Sequence, residues 1–462
     1  MKITKKQKPF NWHFLMPLML AASLNPLNSS MIATALPKIS ESLKISAGTA
    51  TLLVSILYLV SAVAQPTFGK LAEIFGPRKI LIIGSGFAAC GGLIGGTIHT
   101  FISLLIARIF IGLGTSSGYP SAMLIISRRA NHLENKTIPG NVLGNLQIAS
   151  MATSALGLPL GGVLVGLFDW PSIFYINILI AVIILTTTLA WLPADMKTAD
   201  FNNSQLLKQL DLPGIGLFAA TVITLLVWLF NLPTFNLPIF VIMMFCIVSL
   251  IIWERHAKVL FFDVKFLWHH QDVVLTLIRI LLLSICVYTI MYGVSQWLEA
   301  THASSAEVTG LLLLPMSVVS AITIPPIASR NLVRLPLMVA TLASLVGSVG
   351  LLFFYAQTPL LFIIIVTTGF GIVLGAMSQG SQLALYLQVP VKIMGTASGL
   401  LRTFGYIGSI MSSSLINIGF RSEATTSGLH LIAFLMIIVS LIVAVITIFD
   451  QSLKQARKRS KA

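Results

Sequence analysis

Residues 69–79 read GKLAEIFGPRK and lie between two apolar stretches, 48–68 and 80–98. A helix that spans a membrane needs about 20 mostly apolar residues, and both stretches meet that length. The segment between them carries two glycines, Gly69 and Gly76, which allow a tight turn, and three of its residues are Lys or Arg. The sequence therefore predicts two membrane-spanning helices joined by a short basic loop.

The same alternation of apolar stretch and short connection runs along the whole chain. Of the 462 residues, 56% are hydrophobic and only 9% are charged, whereas a soluble domain carries about 25% charged residues. The apolar runs show no period of two, which favours helices over barrel strands. The composition excludes a soluble enzyme and predicts an all-α polytopic membrane protein with 14 transmembrane helices. The predicted spans are 13–36, 48–68, 80–98, 101–127, 140–166, 172–192, 212–231, 238–253, 273–298, 306–328, 335–355, 358–386, 393–419 and 429–449.

The lysines and arginines predict the orientation of the chain. Of the 29 such residues, only Lys38, Lys44 and Arg421 lie in connections on one side, and three more lie inside spans. All the others lie in the two tails or in connections on the tail side. Because cytoplasmic loops are enriched in Lys and Arg, both termini are predicted to be cytoplasmic, in a multi-pass protein of the cell membrane. The net charge of +15 does not indicate nucleic acid, since too few charges remain to build both a basic face and a soluble shell.

Two polar segments divide the chain. Residues 193–211 form the most polar internal stretch, and residues 254–272 mix charges with Leu, Phe and Trp, as an interfacial amphipathic helix does. They enclose two spans and leave six on each side. This plan predicts two pseudo-symmetric six-helix bundles, plus two extra spans, with a substrate site between the bundles at the membrane midplane. The predicted parts are a basic tail (1–12), an N-terminal bundle (13–194), a linker with the two extra spans and the amphipathic segment (195–272), a C-terminal bundle (273–450) and a second basic tail (451–462).

Five stretches match the motifs of one known family. The loop at 69–79 resembles the signature G-x-L-A-D-x-x-G-R-[RK], with Glu73 at the position of the usual Asp. Residues 104–114 (LLIARIFIGLG) resemble the span-4 motif that is built around a membrane arginine. Further matches lie at 157–162 (GLPLGG), 170–177 (WPSIFYIN) and 395–408. On these motifs the chain is identified as a member of the major facilitator superfamily, and it is similar to the fourteen-spanner drug:proton antiporters of the QacA/EmrB type.

The resemblance implies a major facilitator fold and transport of a small amphipathic substrate by alternating access, with protons as the coupling ion. The basic loop would act as a latch that closes the cytoplasmic side, because Glu73 can pair with a basic residue or cap a neighbouring helix. In span 5, clustered Gly and Pro allow bending and close packing. The predicted gating residues are Gly69, Glu73, Gly76 and Arg78 in the loop and Gly157, Pro159, Gly161 and Gly162 in span 5.

The largest departure from the family pattern lies in span 1, where Asn28 occupies the position of the usual membrane aspartate. An amide cannot carry a proton, and none of the 14 acidic residues lies deep in a predicted span. If protons are coupled, their carrier must be sought at the rims of the membrane. The candidates there are Glu73, Glu299, Glu307, His13 and His302.

Three arginines lie inside spans instead: Arg108, Arg279 and Arg402. Each costs about 2.5–3.5 kcal/mol at the centre of a membrane helix, so a role facing the protein interior is expected. Arg279 is nearer to the cytoplasmic rim, where its side chain can also reach the interface. Arg108 shares a depth with Asn28, and a substrate, helix carbonyls or the Asn28 side chain could satisfy it. The candidate substrate-binding residues are Asn25, Asn28, Arg108, Asn145, Gln147, Tyr292, Gln296, Gln379, Gln382, Arg402 and Tyr406.

Three hypotheses on function stay open. The resemblance favours proton-driven export of drug-like compounds. A positively charged cavity without an acid favours an anionic amphiphile, such as a fatty acid, a lipid or an organic anion. The third hypothesis is a transporter-like protein that acts as a sensor or scaffold.

No enzyme, cofactor or metal is predicted. The G-x-S-x-G pattern at 114–118 has no histidine at similar depth to serve as a base. The three cysteines lie in spans without metal-like spacing, and no ATP-binding motif is present. The expected partners are therefore a small substrate, protons and membrane lipids, and the chain is expected to be a monomer.

Overall fold

The computed structural model of the chain describes residues 10–45, 47–132, 140–195, 211–230, 236–257, 261, 264–301, 306–420, 424–450 and 453. All regular elements within these ranges are helices, which confirms the all-α prediction for the described part of the chain. Most of the two basic tails, residues 196–210 of the polar linker, and His302 lie outside these ranges.

The chain forms two compact units. The first unit comprises residues 1–138, 145–210 and 391–399. Its helices begin and end where prolines, glycines and short polar turns interrupt the apolar runs. They are α1 (Trp12–Leu43), α2 (Ala47–Phe75), α3 (Pro77–Thr97), α4 (Phe101–Ser116), α5 (Gly118–His132), α6 (Gly140–Phe168) and α7 (Ser172–Trp191).

The second unit comprises residues 139–144, 211–390 and 400–462. In this division the two helices that we predicted as extra spans of a linker, Leu212–Phe230 and Leu237–His256, belong with the C-terminal helices. A π-helical turn (Ile290–Val294) joins two of its helices, Gln271–Thr289 and Ser295–Thr301. Helix Met394–Phe420 is divided between the units: its first residues, 394–399, and the preceding 3₁₀ turn (Val391–Ile393) belong to the first unit. Helix α6 is divided as well, since its residues 140–144 belong to the second unit. The helices are α8 (Leu212–Phe230), α9 (Leu237–His256), α10 (Val264–His269), α11 (Gln271–Thr289), α12 (Ser295–Thr301), α13 (Ala306–Ser329), α14 (Arg334–Leu351), α15 (Leu360–Gln388), α16 (Met394–Phe420) and α17 (Thr426–Phe449).

Eleven helices of the described ranges are long and apolar enough to cross a membrane, counting α4 with α5 and α11 with α12 as one each. A twelfth is α6, which bends by 42° between Gly157 and Pro159. The long helices α1 and α16 are not among them, because polar residues such as Asn25, Asn28 and Arg402 lower their apolar content. The count of fourteen spans therefore stays a prediction.

Each unit has its own apolar core. In the first unit Met31, Leu57 and Phe174 belong to one buried cluster, and in the second Trp297 and Phe370 belong to another. The outward faces are apolar as well: Phe245 and Phe449, for example, are 71% and 75% exposed. Large apolar side chains on both the inner and the outer faces are typical of helices that lie in lipid.

Candidate functional site

Arg108 lies on α4 and is buried in the first unit, with 1% of its surface exposed. Its Nε donates to the backbone carbonyl of Leu53 on α2 (2.8 Å), and its Nη1 donates to the backbone carbonyl of Asn28 on α1 (3.4 Å). Its Nη2 has no hydrogen-bond partner, and no carboxylate of the described residues pairs with it. Helix carbonyls thus satisfy part of the guanidinium, and its charge is left without a counter-ion in the described part of the chain.

Asn28 shares the depth of Arg108, as predicted, but its side chain points to another partner. Its Nδ2 donates to Oδ1 of Asn177 on α7 (2.7 Å) and to the carbonyl of Leu24 (3.0 Å). Asn177 is fully buried and donates in turn to the carbonyl of Ile173. The sequence reasoning did not select Asn177, although a lone amide in an apolar span was a signal for it.

Asn25 joins three helices of the same unit. Its Nδ2 donates to the hydroxyls of Ser61 on α2 (2.8 Å) and Thr115 on α4 (2.9 Å). Together, Asn25, Asn28, Arg108 and Asn177 form what we call the polar cluster of the first unit. It holds donors, acceptors and one positive charge, and none of its four members is an acid that could release a proton.

The other predicted residues of the first unit lie on α6. Gln147 is buried and donates from Nε2 to the hydroxyl of Tyr119 (3.3 Å), whereas Asn145 is half-buried. Gly157 and Gly161 lie directly on α1, since a methyl group on Gly161 would overlap the backbone carbonyl of Met31. Gly162 has open space beside it. The glycines therefore allow α6 to approach α1 on one face only.

The remaining predicted substrate contacts belong to the second unit. Tyr292 lies in the π-helical turn, where its ring is nearly parallel to that of Tyr288, with ring centroids 5.9 Å apart. Gln296 is exposed on α12, and Gln382 is buried in α15. On α16, Arg402 and Tyr406 are half-buried one turn apart.

We expected Arg279 either to face the protein interior or to extend its side chain to the membrane–water interface. The structure shows the first of these. Arg279 is fully buried, and its Nη2 lies 2.8 Å from Oδ2 of Asp450. Its Nε donates to the hydroxyl of Thr447 on α17 (3.1 Å). This buried ion pair joins α11 to the end of α17, which indicates that Arg279 stabilises the packing of these two helices.

The latch residue Glu73 caps a helix. Its Oε1 accepts a hydrogen bond from the backbone N–H of Thr396 (2.7 Å), in the first turn of α16. Gly69 lies against the backbone of Gly395, where a methyl group would overlap it, and Arg128 donates to the Glu73 carbonyl (3.1 Å). Of the two roles considered for Glu73, the structure places it at a helix N-terminus, where a negative charge is favourable.

The other candidate proton carriers at the membrane rims have fewer described contacts than Glu73. His13 packs edge-on against Trp191, with ring centroids 4.9 Å apart, and Glu299 is exposed. His302 and the Glu307 side chain lie outside the described residues. No group of His, Cys, Asp and Glu in the described ranges could hold a metal ion.

Apolar spanning helices that enclose buried amides and a buried arginine are typical of membrane transporters. Residues 18–413 match the Major Facilitator Superfamily. The chain therefore belongs to this superfamily, whose members are multi-pass membrane transporters and not enzymes.

Relatives of known sequence and structure agree with this assignment. YwoD of Bacillus subtilis (strain 168), named an uncharacterized MFS-type transporter, is 30% identical over 429 residues, which are 92% of this chain and 94% of YwoD. The multidrug resistance protein Stp of Mycobacterium tuberculosis (strain CDC 1551 / Oshkosh) is 24% identical over 84% of this chain and 72% of Stp. The crystal structure of the human organic anion transporter MFSD10 aligns with a TM-score of 0.66 at 14% identity, over 95% of this chain and 100% of that one. At this identity the last similarity shows the fold alone.

Proposed function

We propose that the protein is a secondary active transporter that exports drug-like amphipathic compounds from the cytoplasm by alternating access, driven by the proton gradient. The motif matches to drug:proton antiporters support this proposal, and so does the name of the relative Stp. The observation that carries it is the close approach of α6 to α1 at Gly157 and Gly161, because these glycines belong to the span-5 motif that is associated with drug exporters.

We further propose fourteen spans, with α1 and α16 crossing the membrane besides the twelve apolar helices. Both termini are then cytoplasmic, as the distribution of Lys and Arg predicts, and the chain works as a monomer in the cell membrane. Glu73, one of the predicted carriers, accepts a hydrogen bond from the backbone of Thr396.

A second candidate function is export of an anionic amphiphile. The buried guanidinium of Arg108 supports it, because Nη2 is unpaired and no described carboxylate balances the charge. A buried charge without a counter-ion is strongly unfavourable, and a carboxylate or phosphate of a substrate would relieve it.

Proton flux in proteoliposomes tests both candidates. The purified protein is reconstituted with a pH-sensitive dye inside, and tetraphenylphosphonium or taurocholate is added outside, with protein-free liposomes as the control. Proton movement with the cation supports drug:proton exchange. A response to taurocholate alone supports the anion candidate, and silence to both contradicts both and leaves the sensor or scaffold hypothesis.

A further inference from the structure

Asp211 anchors the segment that joins α9 to α11. The Asp211 carboxylate is buried, and its Oδ1 accepts hydrogen bonds from the backbone N–H of Gly214 (2.9 Å) and from Nε1 of Trp253 (2.8 Å). Its Oδ2 accepts from the backbone N–H of Phe261 (3.2 Å). The Phe261 ring is buried as well and packs against Phe218 of α8, with ring centroids 5.4 Å apart. The joining segment is therefore held against the start of α8 and the end of α9.

A turn at His270 separates the short helix α10 from α11. The backbone of His270 is not helical, with φ of −113° and ψ of 68°. Its Nδ1 donates to the carbonyl of Phe266 (2.9 Å), and the two rings stack with centroids 3.9 Å apart. The turn ends α10 before α11 begins, and the stacked rings stabilise it.

A cavity of about 370 Å³ lies between α10 and α11 at this turn. This volume falls within the range of about 300–1,000 Å³ that is usual for binding clefts. Its lining is apolar or aromatic except for one amide, and it consists of Leu267, Trp268, Gln271, Val274 and Leu275. None of these five side chains is buried, and Trp268 is 73% exposed. The cavity therefore opens to the surroundings of the protein.

The surroundings of this cavity are the boundary between lipid and water. Its lining residues lie between the predicted spans 238–253 and 273–298, on the side that the Lys and Arg distribution predicts to be cytoplasmic. An exposed tryptophan such as Trp268 is favourable at this depth. Apolar walls disfavour water, so a hydrocarbon chain from the adjacent lipid fills such a cavity at lower free energy than water does.

The polar groups near the cavity are basic. Arg255 and His256 are exposed in the last turn of α9, which packs against α10, and His269 is exposed in the last turn of α10. The two acids that the structure describes in this segment are less accessible, since Glu254 is buried and Asp272 is half-buried. Exposed basic side chains at the membrane surface complement the phosphate of a lipid headgroup.

We infer that the cavity between α10 and α11 binds one acyl chain of a membrane phospholipid, with the lipid phosphate toward the basic ends of α9 and α10. A lipid held there fixes α10 at the membrane surface. This binding site goes beyond the proposed export function and does not depend on it, so a binding experiment without transport tests it.

The test uses quenching of Trp268 by bromine, because a brominated acyl chain quenches an indole that it contacts. The purified protein in dodecyl maltoside is titrated with phosphatidylglycerol whose acyl chains carry bromine. The chain has seven tryptophans, so Trp268→Phe is titrated in parallel and subtracted to give the signal of Trp268. We expect this signal to fall to a plateau, although detergent chains without a phosphate are present in excess.

Two variants show whether the lipid occupies the cavity. Val274→Phe fills it from α11 and should weaken binding of the brominated lipid by about tenfold, since overpacking a site costs enough free energy for such a factor. Val248→Phe is the matched control, because Val248 is exposed on α9, away from the lining residues. It should bind the lipid as wild type does. If V274F does not fold, Gln271→Phe takes its place, since Gln271 is exposed and a ring there displaces no packed group.

A plateau that the cavity-filling variant weakens and V248F leaves unchanged supports the site. Quenching that rises in proportion to the added lipid without a plateau overturns it, because Trp268 then meets bulk lipid only. A plateau that survives in the cavity-filling variant also overturns it. So does quenching that tetraphenylphosphonium reverses, because the cavity then takes a lipophilic cation in place of a phospholipid.

Discussion

Asp195 and Arg78 cap two neighbouring helices at one end of the first unit. The Asp195 carboxylate accepts hydrogen bonds from the backbone N–H groups of Arg78 (3.1 Å) and Lys79 (3.0 Å), at the start of α3. The Arg78 guanidinium donates to the carbonyl of Leu189 (2.8 Å), in the last turn of α7. A negative charge thus lies at a helix N-terminus and a positive charge at a helix C-terminus, which is the favourable arrangement at both ends.

The cap from Asp195 replaces one that α3 does not have. The N-cap residue is Gly76, which has no side chain to accept a hydrogen bond, and its φ of 102° favours glycine. A methyl group at this position would also overlap the Asp195 carboxylate. We expect Asp195→Ala to destabilise the protein by about 1–2 kcal/mol, as the loss of a helix cap does.

The apparent melting temperature of the purified protein checks this expectation. Glu41→Ala is the control, because Glu41 is exposed on α1. Equal melting temperatures for D195A and E41A would show that the cap contributes nothing. Asp195→Asn should fall between D195A and wild type, since it keeps one acceptor oxygen.

A second prediction concerns Glu73. Replacement by Ala removes the acceptor for the N–H of Thr396 and should slow transport by about tenfold, because a hydrogen bond to a charged group contributes about 1.5–3 kcal/mol. Glu73→Gln keeps an oxygen and loses the charge, so it should retain more activity than E73A. Initial transport rates in proteoliposomes, normalised to the amount of reconstituted protein, measure the effect. Wild-type rates in E73A would exclude a role for this contact, and Glu41→Gln serves as the matched control.

The sequence predicts how deep a residue lies along a membrane span, but not which neighbouring helix its side chain faces. Counting residues along a span gives depth, which is why the common depth of Arg108 and Asn28 and the near-identical bounds of α7 (predicted 172–192, observed Ser172–Trp191) could be predicted. Counting does not give the side of the helix that meets a neighbour. The pairing of Asn28 with Asn177 depends on how α1 and α7 are rotated, and no pattern in either span carries that information.

Contacts between residues that are far apart in the sequence could not be predicted either. In the sequence, Asp450 directly follows the predicted span 429–449 and Arg279 lies near a rim, but their pairing across 171 residues depends on α11 and α17 being neighbours. The latch motif was easier, because its residues are contiguous. Even there, the partner of Glu73 lies 323 residues further along the chain, and only the possible type of partner could be stated.

The buried ion pair of Arg279 and Asp450 gives a third prediction. Removing either partner leaves a buried charge unpaired, so Arg279→Met and Asp450→Leu should each destabilise the protein by about 3–5 kcal/mol. The double variant should lose much less than the sum of the two, because two apolar side chains can replace the pair. A double-mutant cycle of unfolding free energies measures this coupling.

An exposed ion pair provides the comparison. Lys38 and Asp169 lie 3.8 Å apart, with 48% and 64% of their side chains exposed. Lys38→Ala should therefore cost about 0–1 kcal/mol. Additive effects in the Arg279 and Asp450 cycle would contradict a coupled buried pair.

The last prediction distinguishes the two candidate functions at Asn28. Asn28→Asp replaces the amide donor with an acceptor oxygen, so its contacts with Asn177 and Leu24 must rearrange, and it adds a negative charge at the residue whose backbone carbonyl accepts from Arg108. If the protein exports cations, we expect N28D to retain or increase proton flux with tetraphenylphosphonium, since the new acid can attract the cation and carry a proton. If it exports anions, N28D should abolish taurocholate transport, because the new charge repels the substrate. Asn28→Ala is the control, as it removes the same donors without adding a charge. Equal loss in N28D and N28A for both probes would assign Asn28 to helix packing and exclude it from substrate selection.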